Sequence, residues 1–403
     1  MAKTIPILIG KTTRLLSKFR GNGSALPGYV IERISPNFIS FLDQLPHGVV
    51  VVSGTNGKTT TTKIITEILR AGGLRVFTNE TGSNFARGVI SSAIPHFSMT
   101  GKFPFDIAVL ELDEAHAVRF SEQVKPTYSL LLNVAPDQMD RFDDTDQVGR
   151  LMDALAQNTT NTVIINREDY RLAKIKTPHT IYYGLSNKLL KTFIDDSKPS
   201  KNQAAATLQS FDDGEATYKI DEKNHDVKLK LKGIYNAYNA AGAIATVRSI
   251  LPDLEINTIL KALAHVTSPD GRGEEFTIDG KKIELFLIKN PSAFQLALTS
   301  FADHQHDYII AINDNIPDGT NISWLDSVDF SALPSHVLAV TGIRAEDMAK
   351  YLEKYHIKSN LVQTDINLAV KDAIKNSTKP IRIFSTYTAM FAIRKLFTGK
   401  SIS

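Results

Sequence analysis

Four consecutive valines, Val49 to Val52, run directly into Ser53-Gly-Thr-Asn-Gly-Lys-Thr-Thr60, and this junction constrains the fold more than any other stretch. An apolar run without alternation is the pattern of a strand buried on both faces, which requires a parallel sheet covered by helices. From Thr59 to Ala71 the period changes. Ile64, Ile65, Ile68 and Leu69 recur on one side of a helix that Gly72-Gly73 ends. Glycines between a buried strand and a helix let successive N–H groups curl toward phosphate oxygens, with the helix dipole behind them. Gly54, Thr55, Asn56, Gly57, Lys58, Thr59 and Thr60 are therefore candidate ATP-binding residues. Lys58 supplies charge to the terminal phosphates, and the Thr59 hydroxyl is a candidate ligand of Mg²⁺. The usual pattern has Gly where Val52 stands, so the loop is a shortened variant.

The strand–helix alternation continues. Arg75–Thr78, Asp106–Leu112, Tyr128–Asn133, Thr162–Asn166 and Thr180–Tyr183 read as further strands, which implies a doubly wound parallel sheet. Glu111 ends one of them, where a carboxylate suits a phosphate-bound Mg²⁺, and Asp137-Gln-Met-Asp140 follows another. Residues 186–225 are polar and turn-rich and read as a surface excursion. A second α/β unit starts near Ser268, with strands at Ile283–Ile288, Tyr308–Ile312, Val337–Val340, Asn360–Val362 and Ile381–Phe384. The clusters Lys289-Asn-Pro291, Asn313-Asp314, Thr341-Gly342 and Ser385-Thr-Tyr-Thr388 each fall just after a strand, where open α/β sheets bind ligands. The expected division is a leader at 1–46, a central ATP-binding domain at 47–267 and a smaller Rossmann-like domain at 268–403. The leader reads as a short surface helix in preference to a membrane-surface one, with Lys11, Arg14, Lys18 and Arg20 around Leu15, Leu16 and Phe19.

Composition narrows the function. Lys plus Arg number 46 against 43 Asp plus Glu, too balanced for nucleic acid to be the main partner. Cysteine is absent, which excludes disulfides, thiol catalysis and Cys-ligated metal. No apolar run approaches the roughly 18 residues of a spanning helix. His304-Gln-His306 is too weak a signal for a metal site. Neither a serine-hydrolase nor a zincin motif occurs.

Several motifs, in order, resemble those of the Mur ligases. They are Gly54-Thr-Asn-Gly-Lys-Thr59, Asn79-Glu-Thr-Gly-Ser-Asn84, Leu110-Glu-Leu-Asp-Glu114, Asp137-Gln-Met-Asp-Arg141, Gly233-Ile-Tyr-Asn-Ala-Tyr-Asn239 and Gly271-Arg-Gly-Glu274. With Lys289-Asn-Pro291, Asn313-Asp314 and Thr386-Tyr-Thr-Ala389, the set is similar to the MurT branch, the synthetase subunits of lipid II isoglutaminyl synthase. The resemblance covers nearly the whole chain. It implies a cytoplasmic enzyme at the inner face of the membrane, with at most peripheral membrane contact. It implies ATP- and Mg²⁺-dependent amidation of the D-glutamate α-carboxylate in lipid II, through an acyl phosphate, with ammonia from a GatD-type glutaminase partner. By family position Asn236 and Asn239 lie near the adenine and Arg272 reaches the phosphates. Asn84, Lys289 and Asn290 are substrate candidates. Lys58, Glu111 and Asp318 are the catalytic candidates: an acid of the Asp314–Asp326 segment is expected to complete the partner's Cys-His site, and Asp318, on a loop projecting at the sheet edge, is the retained candidate, with Asp326 the alternative.

The sequence departs from the family in three places. The four-cysteine zinc ribbon of relatives has no counterpart in 186–225, and His179 and His225 cannot replace four thiolates, so no zinc is expected. The Asp-Gly-Arg-Asp signature reads Asp318-Gly-Thr-Asn321 here, with Asp326 displaced by one place. Ala293 stands where a small Gly is usual. These changes spare the ATP site and cluster where partner and ammonia act. They keep two alternatives open: a Mur-type ligase using free ammonia or an amino acid, and a non-catalytic nucleotide-binding scaffold.

Overall fold

A computed structural model describes residues 4–20, 26–79, 85–135, 145–193 and 200–399. They fall into two compact units. One comprises the chain up to Val134, 145 to Lys230 and Tyr235–Val266, and the other Leu231–Ile234 and the chain from Thr267 onward.

In the first unit, helix α1 (Thr4–Arg20) pairs with α2 (Leu26–Ile34), and α2 in turn packs on α4 (Ala86–Ala93). Among the described residues the leader thus holds two α-helices rather than one. Gly28 of α2 sits so close to the Arg87 carbonyl that a side chain there would meet it at 1.9 Å, which explains the glycine. The sheet follows the expected strands within a residue or two. These are β1 (Val49–Ser53), β2 (Val76–Thr78), β3 (Ile107–Glu111), β4 (Tyr128–Leu131), β5 (Thr162–Asn166) and β6 (Thr180–Leu185). Every residue of β1 is buried, as the valine run requires. Helix α3 (Lys58–Ala71) covers β1 and β3 on the way to β2.

The stretch 186–225 differs from its expectation. After the short helix α7 (Asn187–Phe193), β7 (Ala204–Asp212) joins β6 in parallel, and β8 (Glu215–Ile220) and β9 (Lys223–Lys228) add antiparallel strands. The described strands form one sheet in the order β2-β3-β1-β4-β5-β6-β7-β8-β9. Polar composition concealed this because only one face is covered. Ala216, Tyr218 and Ile220 are buried, while their neighbours along β8 are more exposed. Asp213-Gly214 and Asp221-Glu222 both adopt positive φ, the geometry of two-residue hairpin turns. Main-chain ladders therefore hold this segment together without thiolates.

In the second unit, β10 (Arg272–Ile278) runs antiparallel to β11 (Lys281–Leu287). The sheet continues in parallel through β17 (Ile381–Ser385), β12 (Asp307–Ala311), β14 (Ala339–Thr341) and β16 (Val362–Gln363). The expected strand Val337–Val340 divides. Val337 pairs in a short side ladder between β13 (His336–Val337) and β15 (Lys358–Ser359), and β14 begins at Ala339. One face packs Ile283, Leu285, Ile309, Ile381 and Ile383 against α12 (Ile366–Asn376) and α13 (Tyr387–Thr398). The other packs Phe286 and Phe384 against Phe301 and Phe294 of α10 (Pro291–Phe301). The helices after β11 and β17 thus leave on opposite faces, which opens a crevice at the carboxyl ends of these neighbouring strands.

Candidate functional site

The loop after β1 curls through Gly54 (φ 143°) and Gly57 (φ 90°), the latter in the left-handed region at the cap of α3. Asn133, just past β4, staples the loop. Its backbone carbonyl accepts from Thr55 N (3.0 Å), its Oδ1 accepts from Asn56 N (2.9 Å), and its Nδ2 donates to Asn56 O (2.9 Å). Thr59 Oγ1 donates to Glu111 Oε1 at 2.8 Å, which brings together the two expected Mg²⁺ ligands. Both are hard oxygen donors on buried residues beside a phosphate-loop helix, so the donor set fits Mg²⁺. Asn79 fixes the carboxylate's backbone from both sides. Its Nδ2 donates to Glu111 O and its Oδ1 accepts from Glu111 N, each at 2.9 Å.

Lys58 is only 6% exposed, against the expectation of an exposed lysine. Its Nζ donates to Gly54 O at 2.6 Å and pairs with Asp113 Oδ1 at 3.1 Å. Burial pulls its pKa down, but Glu114, Asp113 and Glu111 outweigh this and hold it above the ordinary lysine value. The ammonium stays charged, as phosphate binding requires.

Asn239 lies directly against the loop: a Cβ on Gly57 would stand 2.4 Å from its Nδ2. Asn236 lies one helical turn earlier on α8 (Ile234–Ile250) and is also buried. That helix is held by Tyr218 Oη, which donates to Ala237 O (2.8 Å), and by Tyr238 Oη, which donates to Asn166 Oδ1. Asn84 and the 137–141 motif lie outside the described residues.

In the second unit, Arg272 starts β10 and Gly273 (φ 81°) forms a register irregularity beside it, a bulge that sets the direction of the arginine. Glu274 locks the bulge: its carboxylate accepts from Gly271 N (2.8 Å) and from Arg394 Nε (2.7 Å). Asn290 is fully buried and caps α10, with Oδ1 accepting from Ala293 N at 2.7 Å. Lys289, before it, is half-buried. Both stand at the carboxyl end of β11, at the crevice.

Asp318 does not project from the sheet edge. It is 4% exposed and turned inward, accepting from Thr388 N (2.7 Å) and Thr388 Oγ1 (2.5 Å) at the start of α13. The physical reason is the helix terminus, whose unsatisfied N–H groups and positive dipole attract a carboxylate. Thr388 Oγ1 also accepts from Asn313 Nδ2 and Asn315 Nδ2, each at 2.9 Å. Half-buried Tyr387 feels both Arg272 and Asp318. Burial raises its pKa, Arg272 lowers it and Asp318 raises it. Asp314 is paired with Arg344 Nε (2.7 Å), and Asp326 accepts from Lys354 Nζ (3.0 Å) and Tyr351 Oη (3.1 Å). His306 Nδ1 lies 2.8 Å from Asp303 Oδ1.

Sequence reasoning singled out neither Asn133 nor the grip of Asn79 on Glu111. Asn79 directly follows β2 and Asn133 stands two residues past β4, the one local signal that pointed to them.

A phosphate loop closed by a strand-end glutamate, on a parallel sheet followed by a second α/β unit, defines an ATP-dependent ligase of the Mur ligase class. Residues 52–247 match the family model of the Mur ligase middle domain, and residues 287–390 match that of the MurT ligase C-terminal domain. The two models together span most of the chain, which is similar to the MurT branch of that family. It is 26% identical to the MurT subunit of lipid II isoglutaminyl synthase (glutamine-hydrolyzing) of Staphylococcus aureus strain COL, with 96% of this chain and 94% of that one covered. It is 27% identical to the subunit of the same name from Streptococcus pneumoniae, with 99% and 98% covered. Among solved structures, a pseudomurein peptide ligase type C from Methanothermus fervidus superposes with TM-score 0.68 at 17% identity, covering 89% of this chain and 79% of that one. The MurF ligase of Thermotoga maritima gives 0.66 at 17% identity, covering 89% and 80%. Among the described residues no helix is long and apolar enough to cross a membrane.

Proposed function

We propose that this chain amidates the α-carboxylate of D-glutamate in the stem peptide of lipid II, giving D-isoglutamine at the expense of ATP. The observation that carries the proposal is the Thr59–Glu111 pair beside charged Lys58, in a chain whose near-full-length relatives bear the MurT name. Gly54 to Thr60 cradle the phosphates, and Asn236 and Asn239 flank the nucleotide. Arg272 is, by family position, a further proposed phosphate contact. Thr59 and Glu111 would hold Mg²⁺, which when bound offsets phosphate charge. A substrate carboxylate oxygen attacks the γ-phosphorus, ADP leaves, and an acyl phosphate results. Ammonia then attacks the acyl carbon, phosphate departs, and a proton is lost from nitrogen. Lys58 stabilises the charge developing on the transferring phosphoryl group. Lys289 and Asn290, with Asn84, are the proposed substrate contacts.

A GatD-type glutaminase is the proposed ammonia source. A second reading, a ligase that takes free ammonia or an amino acid, is favoured by one specific observation. Asp314 and Asp318 are little exposed and held by intrachain partners, so neither stands ready for a partner's histidine, whereas Asp326 is 58% exposed in a surface pair with Lys354. One assay separates the readings: ATP-dependent amidation of lipid II, followed by mass spectrometry, with glutamine plus glutaminase or with high ammonium. Lys58→Ala should abolish product with both nitrogen sources; normal turnover by that variant would refute the phosphate-loop assignment. On the glutaminase reading Asp318→Asn should depress the glutamine reaction by orders of magnitude and spare the ammonium reaction. Equal loss with both would move Asp318 into the synthetase site. No loss with either favours Asp326, or a chain that works without a glutaminase. ATP binding with no product from any nitrogen source would make the chain a scaffold.

A further inference from the structure

The strand that delivers Glu111 to the phosphate loop delivers a second carboxylate two residues later. Leu112 N donates to Val52 O at 3.1 Å, and Leu112 O accepts from Ser53 Oγ at 2.9 Å. Both polar groups of the intervening residue are thus tied to β1, and its side chain is buried. In extended backbone, residues two apart face the same way. Glu111 and Asp113 accordingly both reach the loop, and they divide its chemistry. Glu111 Oε1 accepts from Thr59 Oγ1 at 2.8 Å, while Asp113 Oδ1 stands 3.1 Å from Lys58 Nζ. Lys58 Nζ also donates to Gly54 O at 2.6 Å, so two groups set where the ammonium lies.

Asp113 is at the same time the N-cap residue of α5 (Glu114–Gln123). An aspartate there ordinarily accepts from a backbone N–H of the first turn, which stabilises the helix. Its side chain makes no such capping bond. The carboxylate turns to Lys58 instead. A local preference set aside beside a buried cation marks a functional constraint. The alternative partners of Lys58 explain the need. Glu111 and Glu114 are the other carboxylates that act on it. An ammonium drawn to Glu111 would occupy the oxygen that suits Mg²⁺. We infer that Asp113 is a positioning residue that holds the Lys58 ammonium beside Gly54 and off Glu111. Lys58 is thereby aimed at the transferring phosphoryl group, and Glu111 stays available as a metal ligand. The inference rests on the ligase reading proposed above and deepens it.

Two substitutions separate charge from capping. Asp113→Asn removes the charge and keeps a side chain as good as aspartate at an N-cap, whereas Asp113→Glu keeps the charge and lies outside the favoured capping residues. The first readout needs no turnover: a fluorescent ATP analogue is bound to the full chain at rising Mg²⁺. Asp113→Asn should need on the order of threefold to tenfold more Mg²⁺ for half-maximal binding, and Asp113→Glu should return toward wild type. The second readout is amidation of lipid II with ammonium. There Asp113→Asn should lower kcat on the order of tenfold with KM for ammonium unchanged, and Asp113→Glu should recover part of the loss. The thermal midpoint of Asp113→Asn should match wild type. An unchanged Mg²⁺ requirement or an unchanged kcat in Asp113→Asn would overturn the inference. A lowered midpoint in Asp113→Asn without rescue by Asp113→Glu would overturn it too, by making the residue a structural one. A wild type that binds the analogue yet forms no product from any nitrogen source removes the ligase reading, and the Mg²⁺ titration then decides by itself whether Asp113 keeps Lys58 off Glu111.

Discussion

Replacing Gly57 by alanine tests the contact that joins the phosphate loop to α8. Two costs arise. Gly57 has φ 90°, and an L-residue held in the left-handed region costs about 1 kcal/mol. The new Cβ would also lie 2.4 Å from Asn239 Nδ2 and 3.0 Å from its Cγ, so the amide must move within a buried site. Because the nearest atom ends a rotatable side chain, this overpacking falls at the low end of its usual range, about 1 kcal/mol. Gly57→Ala should therefore destabilise the first unit by about 2 kcal/mol in urea unfolding. In an Asn239→Ala background the steric part disappears and the penalty should fall to about 1 kcal/mol. Independent sites add to within about 0.3–0.5 kcal/mol, so a coupling of about 1 kcal/mol is measurable. Affinity for a fluorescent ATP analogue should drop on the order of tenfold in the single variant, because loop N–H groups aimed at phosphate would be displaced. Equal destabilisation in the two backgrounds would refute the argument that Asn239 packs on the loop.

Other outcomes follow from the second unit. Gly342→Ala meets a harder obstacle, since at φ 94° its Cβ would stand 2.4 Å from the backbone oxygen of Ile312, and thermal melting should report a loss of about 3 kcal/mol or more. Asp318→Asn removes the anion at the start of α13 and should lower stability by about 1 kcal/mol, read as a reduced thermal midpoint. Asp303 is opposed by burial, but His306, Gln305 N and Arg382 together lower its pKa to about 2. Its stabilising contribution is thus complete above the unfolded carboxylate value and is lost as pH falls through the folded one. At 38% exposure solvent screening reduces the contribution to about 1 kcal/mol. Urea unfolding across the range from about pH 4 to about pH 2 should show this acid-side loss in wild type and a flatter profile in Asp303→Asn.

The sequence by itself determined the parallel core and the nucleotide loop, because both are written in local chemistry. A valine run that cannot alternate must be buried on both faces. Glycines followed by Lys-Thr at a strand-to-helix junction have few other uses. The strand order beyond β6 was not legible, because β7 to β9 cover only one face and their polar alternation looks like loop. Their place depends on ladder hydrogen bonds to β6, a long-range pairing. The burial of Lys58 was equally invisible. A lysine enters an interior only when carboxylates compensate it, and Asp113, Glu111 and Glu114 arrive from a strand and helix more than fifty residues away. Asp318 illustrates the same limit. Its neighbours Pro317 and Gly319 suggest an outward turn, whereas the start of α13, seventy residues later, draws its carboxylate inward. Residue types and short spacings thus fixed the chemistry available to the site. Which groups compensate one another was decided only when the sheet brought the ends of its strands together.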